Sequence, residues 1–246
     1  MNNTPSNYSY SAADSSGQSG GQMETMRLPL FPLNTVLFPG MMLPLNVFEP
    51  RYLDLVNDCV EKKSPFGIVL IRSGKGIGVE GVPHLIGTAA RIKKVQKKED
   101  GRMSVVVVGT RRFQVEAFDH SRAYLSAEAS LLPFTDADTR VADDLMQQIR
   151  PDIMEYVELI AKASKVKVRM ERFPADPKST AFLIAGALQV ENAEKQALLA
   201  MASVPEILVR ERYLLSRETL IMRYMVETQK SIMGMGAGPT GHLFPN

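Results

Sequence analysis

The chain has 246 residues, of which 45% are hydrophobic and 23% are charged, a composition that excludes a fibre or a long disordered chain. Its formal net charge of +2 is too small to indicate a nucleic-acid or membrane-surface partner by itself. The single cysteine, Cys59, excludes an internal disulfide, and the three histidines are too far apart in sequence for a zinc motif, so we expect a cytoplasmic protein without a metal.

Both ends of the chain have compositions typical of disordered segments. Residues 1–25 are rich in Asn, Ser, Gly and Gln, and residues 231–246 are rich in Gly. Ordering such segments costs more conformational entropy than their few apolar groups return. No apolar run reaches the roughly 18 residues that a spanning helix requires, and no signal sequence is recognisable. We therefore expect two flexible tails and no membrane partner.

Residues 26–133 contain short apolar runs separated by Pro and Gly, which is typical of strands and turns. The runs that resemble strands are residues 28–33, 41–48, 66–71, 88–95, 103–108, 113–118 and 124–132. Asp100 and Gly101 lie between two of these runs and favour a tight hairpin turn. One helix interrupts the strands: it begins at Pro50 and places Cys59 on its apolar stripe. We predict a β-rich lobe in which this helix lies across one end of a barrel.

Residues 134–230 change to helical periodicity. A first long helix contains Pro151, which should kink it. A second helix opens with Asp176 as its N-cap, a short third helix follows, and Ser203 with Glu206 forms a capping box for the last helix. The predicted fold is therefore α+β, an N-terminal β-rich pseudo-barrel followed by a C-terminal helical bundle.

Motifs for catalysis or for a cofactor are weak. Gly76, Gly78 and Gly81 match the spacing of a dinucleotide-binding loop, but Pro83 follows and no amphipathic helix begins there. The chain has no phosphate-binding P-loop and no nucleophile-elbow sequence. The place of Cys59 on an apolar stripe favours a buried, inert thiol. We expect no cofactor and no catalytic residue.

Basic residues cluster around the predicted hairpin. They are Lys93, Lys94, Lys97, Lys98 and Arg102, with Arg111 and Arg112 nearby. A basic hairpin on a barrel favours RNA binding, although the aromatic residues that stack bases are missing here. A solvated edge strand protected by Lys is the alternative, and we prefer it.

A second candidate surface follows the turn Phe38-Pro39-Gly40. The turn places Met41 and Met42 where their side chains can be exposed. Methionine offers a pliable apolar surface that suits peptides of varied sequence. The pattern therefore predicts a peptide-binding surface made by Phe38, Met41 and Met42.

Several segments resemble the N-terminal domain of the Lon protease family. The first are residues 28–33 (LPLFPL), 36–40 (VLFPG), 43–45 (LPL) and 48–52 (FEPRY). Segments at residues 66–70, 87–92, 100–102, 109–113 and 194–199 follow in the order that the family shows. The resemblance covers about residues 26–226, nearly all of the chain that we expect to be ordered.

The resemblance implies a PUA-like pseudo-barrel with a helical bundle, the part of Lon that helps to recognise and engage substrates. In the full-length protease the ATPase and Ser/Lys peptidase domains follow this region, so we expect a non-catalytic module similar to the stand-alone Lon-domain proteins of bacteria. The implied partners are unfolded or exposed polypeptide segments, in a role linked to protein quality control. Docking on a folded partner such as a protease, or RNA binding by the basic lobe, is the alternative.

Glu49, Pro50, Arg51 and Tyr52 match the family motif. The resemblance implies that this motif is a signature of the fold. We therefore expect Glu49 and Arg51 to make a structural ion pair or a contact at the helix end.

Overall fold

A computed structural model of the chain describes residues 25–73, 81–164 and 173–235. The strands are β1 (Thr25–Leu33), β2 (Met42–Val47), β3 (Phe66–Ser73), β4 (Val82–Pro83), β5 (Ile86–Lys97), β6 (Met103–Asp119) and β7 (Ser126–Leu131). The helices are α1 (Pro50–Glu61), α2 (Arg140–Ser164), α3 (Pro177–Ala187), α4 (Asn192–Ala200) and α5 (Val204–Met235). Strands thus precede helices, with α1 as the exception, and the predicted α+β class is confirmed.

The strands form one sheet that closes on itself. Its order is β1-β7-β6-β5-β3-β4, and β1 also pairs with β3 in parallel. β2 pairs with the first half of β6 outside this path. Because β1 bonds to β7 on one side and to β3 on the other, the sheet has the shape of the predicted pseudo-barrel.

β6 is one strand of 17 residues, where the sequence predicts two strands separated by residues 109–112. The strand is continuous because β5 pairs with both of its halves, and the turn before β2 also bonds to it at Gly109. Gly109 donates its N–H to the carbonyl of Met41 at 2.9 Å and accepts the N–H of Gly40 at 2.9 Å. A Cβ on Gly109 would lie 2.5 Å from the carbonyl oxygen of Phe38, so this glycine allows a close approach of two backbones.

α1 packs against the strands of the β-rich lobe. Its buried residues Leu55, Val56 and Cys59 pack in one cluster with Phe66 and Val105 from the strands. Cys59 is 2% exposed, and burial raises the pKa of its thiol. The thiol is therefore in the inert, protonated form that its place on the helix predicts.

Local sequence signals set the starts of two helices in the C-terminal lobe. Asp176 accepts the N–H of Ser179 at 2.8 Å, and the Ser203 hydroxyl accepts the N–H of Glu206 at 3.3 Å. Both caps agree with the prediction. α2 continues through Pro151, and α2, α3 and α5 enclose the core of this lobe.

Some expectations fall on residues that the structure leaves out. The predicted tails lie mostly outside the described residues, apart from Thr25 and the end of α5. The glycine motif also lies outside them, except for Gly81. Among the described residues, every helix is too short or too polar for a membrane span. The same residues contain no group of His, Cys, Asp or Glu that could hold a metal ion.

Candidate functional site

The turn at Phe38 does not form the exposed patch that the sequence predicts. Phe38 is 1% exposed, and its ring centroid lies 6.1 Å from that of Phe182 on α3. The helical lobe covers it, so the expectation of an exposed Phe38 is wrong. Met41 is partly buried against the cores of both lobes. Met42 is 71% exposed, and its contact with a peptide stays a prediction.

A groove of about 550 Å³ opens where the start of α1 meets the sheet. We call it the α1 groove. Its walls are the ends of β1 and β2, strand β4 and the segment 118–125. Its apolar lining consists of Phe31, Pro32, Leu33, Val47, Phe48, Tyr52, Ile71, Val82, Pro83, Phe118, Ala123, Tyr124 and Leu125. Its polar lining includes Asn34, Asn46, Glu49, Arg51, His120 and Arg122.

The signature residues therefore lie at a concave surface. Glu49, Arg51 and Tyr52 line the α1 groove, and Pro50 begins α1 beside them. A motif that the sequence predicts to be structural thus also shapes a groove of the size that small ligands and side chains enter.

Two large apolar side chains of the groove are exposed to solvent. Phe48 is 51% exposed and Val82 is 56% exposed. Phe31, in contrast, is 5% exposed and belongs to the barrel core. Apolar groups at the rim of a concave surface are typical of sites that bind other apolar groups.

An aromatic stack contributes to the lining of the groove. The rings of Phe31 and Tyr52 are nearly parallel, with centroids 4.2 Å apart, and Phe66 packs against Phe31 at 6.0 Å. Side chains stacked in this way lose little further freedom when a ligand contacts them. This part of the lining is therefore preorganised.

Glu49 and Arg51 form the ion pair that the motif suggests. The Arg51 Nη2 lies 2.9 Å from the Glu49 Oε2, and both side chains keep about a quarter to a third of their surface exposed. The Arg51 guanidinium also lies 4.8 Å from the ring centroid of Tyr52. The carbonyl of Glu49 accepts the N–H of Leu53 at 3.0 Å. The pair thus lies at the first turn of α1, with its polar edge at the groove.

A hydrogen-bond network holds the segment 118–125 against α1. The Tyr124 hydroxyl donates to the Asp58 carboxylate at 2.6 Å. Arg122 donates to the Tyr124 oxygen at 2.7 Å and to Asp58 at 3.0 Å. The hydrogen bond from Tyr124 holds the pKa of Asp58 below its usual value, and burial raises the pKa of Tyr124. The charged carboxylate is the form that this network stabilises.

A second concave surface, of about 610 Å³, lies between the sheet and the helical lobe. We call it the inter-lobe cavity. Met41 lines it together with Arg111, Arg112 and Phe134, which shows that one residue of the predicted peptide surface faces a cavity. The sequence contains no local signal for this cavity, because the residues that form it are far apart in the chain.

The sequence suggests that Arg112 belongs to a surface cluster. In the structure its side chain is instead buried, with 3% exposed. Its Nη1 donates to the carbonyls of Leu199, at 2.8 Å, and Met201. Its guanidinium lies 3.6 Å above the ring centroid of Phe134. Burial lowers the pKa of Arg112 to about 10. The residue therefore stays charged at neutral pH and links β6 to the helical lobe.

The remaining basic cluster is smaller than predicted. Lys93, Lys94, Lys97 and Lys98 are exposed around the β5–β6 hairpin. The Arg102 guanidinium instead bonds to Asp100, with its Nε 2.6 Å from the carboxylate. Four lysines without the buried arginine leave a modest positive surface.

Comparison with known proteins relates nearly the whole described chain to one family. Residues 27–217 match the family model of the ATP-dependent protease La (LON) substrate-binding domain. The Lon protease of Parabacteroides distasonis is 26% identical over 82% of this chain. The Lon protease of Flavobacterium johnsoniae is 29% identical, also over 82%. The chain spans about a quarter of the length of these relatives.

Two solved structures have the same fold. A Lon N-terminal domain protein from Xanthomonas campestris aligns with a TM-score of 0.54 and 27% identity, over 75% of this chain and 96% of that one. The N-terminal domain of the Mycobacterium avium complex Lon protease aligns with a TM-score of 0.58 and 22% identity, over 78% and 98%. The second likeness shows the fold alone.

Proposed function

Because the chain belongs to the family of the ATP-dependent protease La (LON) substrate-binding domain, we propose that it recognises polypeptide segments and contacts them through the α1 groove. The observation that carries this proposal is the placement of the signature residues. Glu49, Arg51 and Tyr52 line a groove whose rim exposes Phe48 and Val82.

The groove suits an extended segment with apolar side chains. The stacked rings of Phe31 and Tyr52 contribute apolar lining to the groove, and an apolar side chain that covers this lining releases water. Asn34 and Asn46 at the lining provide amide groups that can bond to a peptide backbone. A side chain of almost any shape gains from such contacts, so the specificity is broad.

Affinity for one segment is modest. An extended chain loses conformational entropy when it docks, and this loss offsets part of the contact energy. We expect a dissociation constant on the order of 10 µM, which corresponds to about −7 kcal/mol. Weak binding suits a recruiting module, because a client must also leave the groove.

The proposed role is in protein quality control in the cytosol. Segments that are apolar and extended are exposed mainly in unfolded proteins, so a groove with this preference selects such clients. The buried free thiol of Cys59 suits a reducing compartment. In this proposal the chain itself performs no chemistry, and degradation of the client belongs to a partner or to domains outside the residues described.

The proposal is tested by titration of a fluorescent unfolded client. Ribonuclease A that is reduced and carboxamidomethylated provides one, and anisotropy reports its binding. The variant Phe48→Ser with Val82→Ser should weaken binding by about tenfold, since two contact side chains are lost. Both residues are half-exposed, so the free energy of unfolding should change by less than about 1 kcal/mol.

A matched control separates the groove from apolar surface in general. Leu220→Ser with Tyr224→Ser removes two side chains of α5 that are 69% and 72% exposed. Binding should stay as in the native protein. Equal loss in both double variants would mean that the contact is non-specific, and no loss in the first would remove the groove from the proposal.

Docking on a folded partner is the alternative for the same surface. A folded partner would bind the native domain and lose binding when it is itself denatured. Comparing native and denatured forms of captured proteins separates the two mechanisms, because the groove proposal expects capture to increase on denaturation.

A further inference from the structure

We propose that the inter-lobe cavity binds an organic carboxylate that is attached to an apolar group. This site lies apart from the α1 groove, and the inference does not depend on the proposed function. It follows from three cationic side chains and apolar walls that occur at one cavity.

The cationic side chains come from both lobes. Arg111 and Arg112 lie on β6, Lys178 lies in the first turn of α3, and all three line the cavity, against Asp138 as the acidic residue of the lining. Arg111 and Lys178 form no ion pair with another described residue. Positive charge is therefore in excess at this cavity, which favours an anion.

Arg112 is the most informative of the three. It is 3% exposed, and its buried Nη2 lacks a hydrogen-bond partner among the described residues, so a ligand meets the positive charge of Arg112 rather than this nitrogen. Its Nη1 bonds to the backbone carbonyls of Leu199, near the end of α4, and of Met201, which follows α4. A buried cation without a carboxylate is costly, and the two carbonyls and the Phe134 ring that contact Arg112 leave it without an anionic partner among the described residues. The same burial lowers its pKa, which is the effect that a bound anion would reverse.

The apolar walls of the cavity indicate which class of anion it binds. Phe134 and Phe182, whose ring centroids are 5.8 Å apart, line it together with Leu183 and Met41. These side chains cover an apolar group of the size of one or two residues. A polyphosphate would leave them uncovered, whereas one carboxylate satisfies the cations and its apolar body fills the remaining space.

Two sources share this chemistry: the free end of a polypeptide and a free carboxylic acid. N-acetyl-L-phenylalanine is a probe with one carboxylate and one aromatic ring, and N-acetyl-L-phenylalaninamide is its neutral match. The test is a titration of each into the full chain labelled with ¹⁵N, followed by amide chemical shifts. A second arm uses octanoate, and a third uses a peptide with a free or an amidated C-terminus.

The acid should bind about tenfold more tightly than the amide, because the charge-assisted bonds are lost in the amide. Shifts should occur at Thr110 and Ser179, which line the cavity. The double variant Arg111→Gln with Lys178→Gln should lose this preference. Lys93→Gln with Lys94→Gln, which removes two exposed cations outside the cavity, should keep it. Arg112 stays unchanged because its bonds link the lobes.

Three results would overturn the inference. They are equal binding of acid and amide, unchanged acid binding by the Arg111 and Lys178 variant, and displacement of the acid by inorganic phosphate at equal concentration. If the acid preference holds, tighter binding of the free-ended peptide than of octanoate identifies a chain end as the source. The reverse order identifies a free acid.

Discussion

The ring of Tyr52 stacks on the ring of Phe31, with centroids 4.2 Å apart and planes 15° apart. Tyr52 lies in the first turn of α1 and Phe31 lies in β1, so the stack fixes the helix to the barrel. The same two residues line the α1 groove. A motif that stabilises the fold therefore also shapes the surface that we propose for polypeptide binding.

The Tyr124–Asp58 hydrogen bond predicts a pH-dependent stability. This hydrogen bond lowers the pKa of Asp58 in the folded protein below its ordinary value of 3.8. The stabilisation is therefore complete above pH 3.8 and is lost as the pH falls through the lowered value. Tyr124→Phe should lower the urea midpoint at pH 7, and the difference from the native protein should shrink at pH 3. A difference that stays constant would contradict the role of the charged carboxylate.

Phe38 should be a core residue in solution. Phe38→Ala removes a ring that is 1% exposed, and we expect a loss of about 3–5 kcal/mol in the free energy of unfolding. Phe48→Ala is the control, because Phe48 is 51% exposed and its loss should cost less than about 1 kcal/mol. Urea denaturation measures both. Similar small losses for both variants would show that Phe38 is not a core residue in solution.

Features that depend on neighbouring residues could be predicted from the sequence. Asp176 caps α3, and Gly101 adopts a φ of +81° in the β5–β6 hairpin, because such contacts span a few residues. The change near residue 133 from short apolar runs to helical periodicity also marks the boundary between the strands and the C-terminal helices. Local chemistry determines these elements, so a single sequence is sufficient.

Features that depend on contacts between lobes could not be predicted. Phe38 looks exposed beside a turn, yet α3 covers it. Arg112 looks like part of a basic cluster, yet its partners are the carbonyls of Leu199 and Met201 on the other lobe. The two-residue strand β4 is too short for any periodic pattern. The α1 groove could not be predicted either, because its walls come from segments that are far apart in the sequence.

The buried Glu211 should give protein stability a second pH dependence, opposite in sign to that of Asp58. The Glu211 side chain is fully buried, and burial raises its pKa well above 4.5, an effect larger than the opposing one of the Ala185 backbone. The folded protein thus keeps a proton that the unfolded chain releases. Stability should fall as the pH rises above 4.5, by at most about 1.4 kcal/mol per pH unit.

The variant Glu211→Gln removes this titration. Its stability relative to the native protein should therefore increase between pH 5 and pH 7, as measured by urea unfolding at both pH values. The difference between the two proteins cancels the contribution of the other titrating groups. A relative stability that does not change with pH would show that Glu211 is already ionised in the folded state.

The exposed lysines of the hairpin allow a test of RNA binding. Neutralising Lys93, Lys94, Lys97 and Lys98 together should leave binding of the unfolded client unchanged, since these side chains lie outside the α1 groove. Single-stranded RNA should not bind at physiological salt. Binding with a steep salt slope that flattens in the lysine variant would favour the nucleic-acid alternative.

Site-specific photocrosslinking tests the central proposal most directly. A benzophenone amino acid replaces Phe48 at the groove, Met42 near the 38–40 turn, or Leu220 on α5, and each protein is irradiated with the labelled unfolded client. The proposal predicts abundant adducts from position 48 and few from position 220, while position 42 reports whether Met42 also contacts the client. Adducts as abundant from position 220 as from position 48 would contradict recognition by the α1 groove.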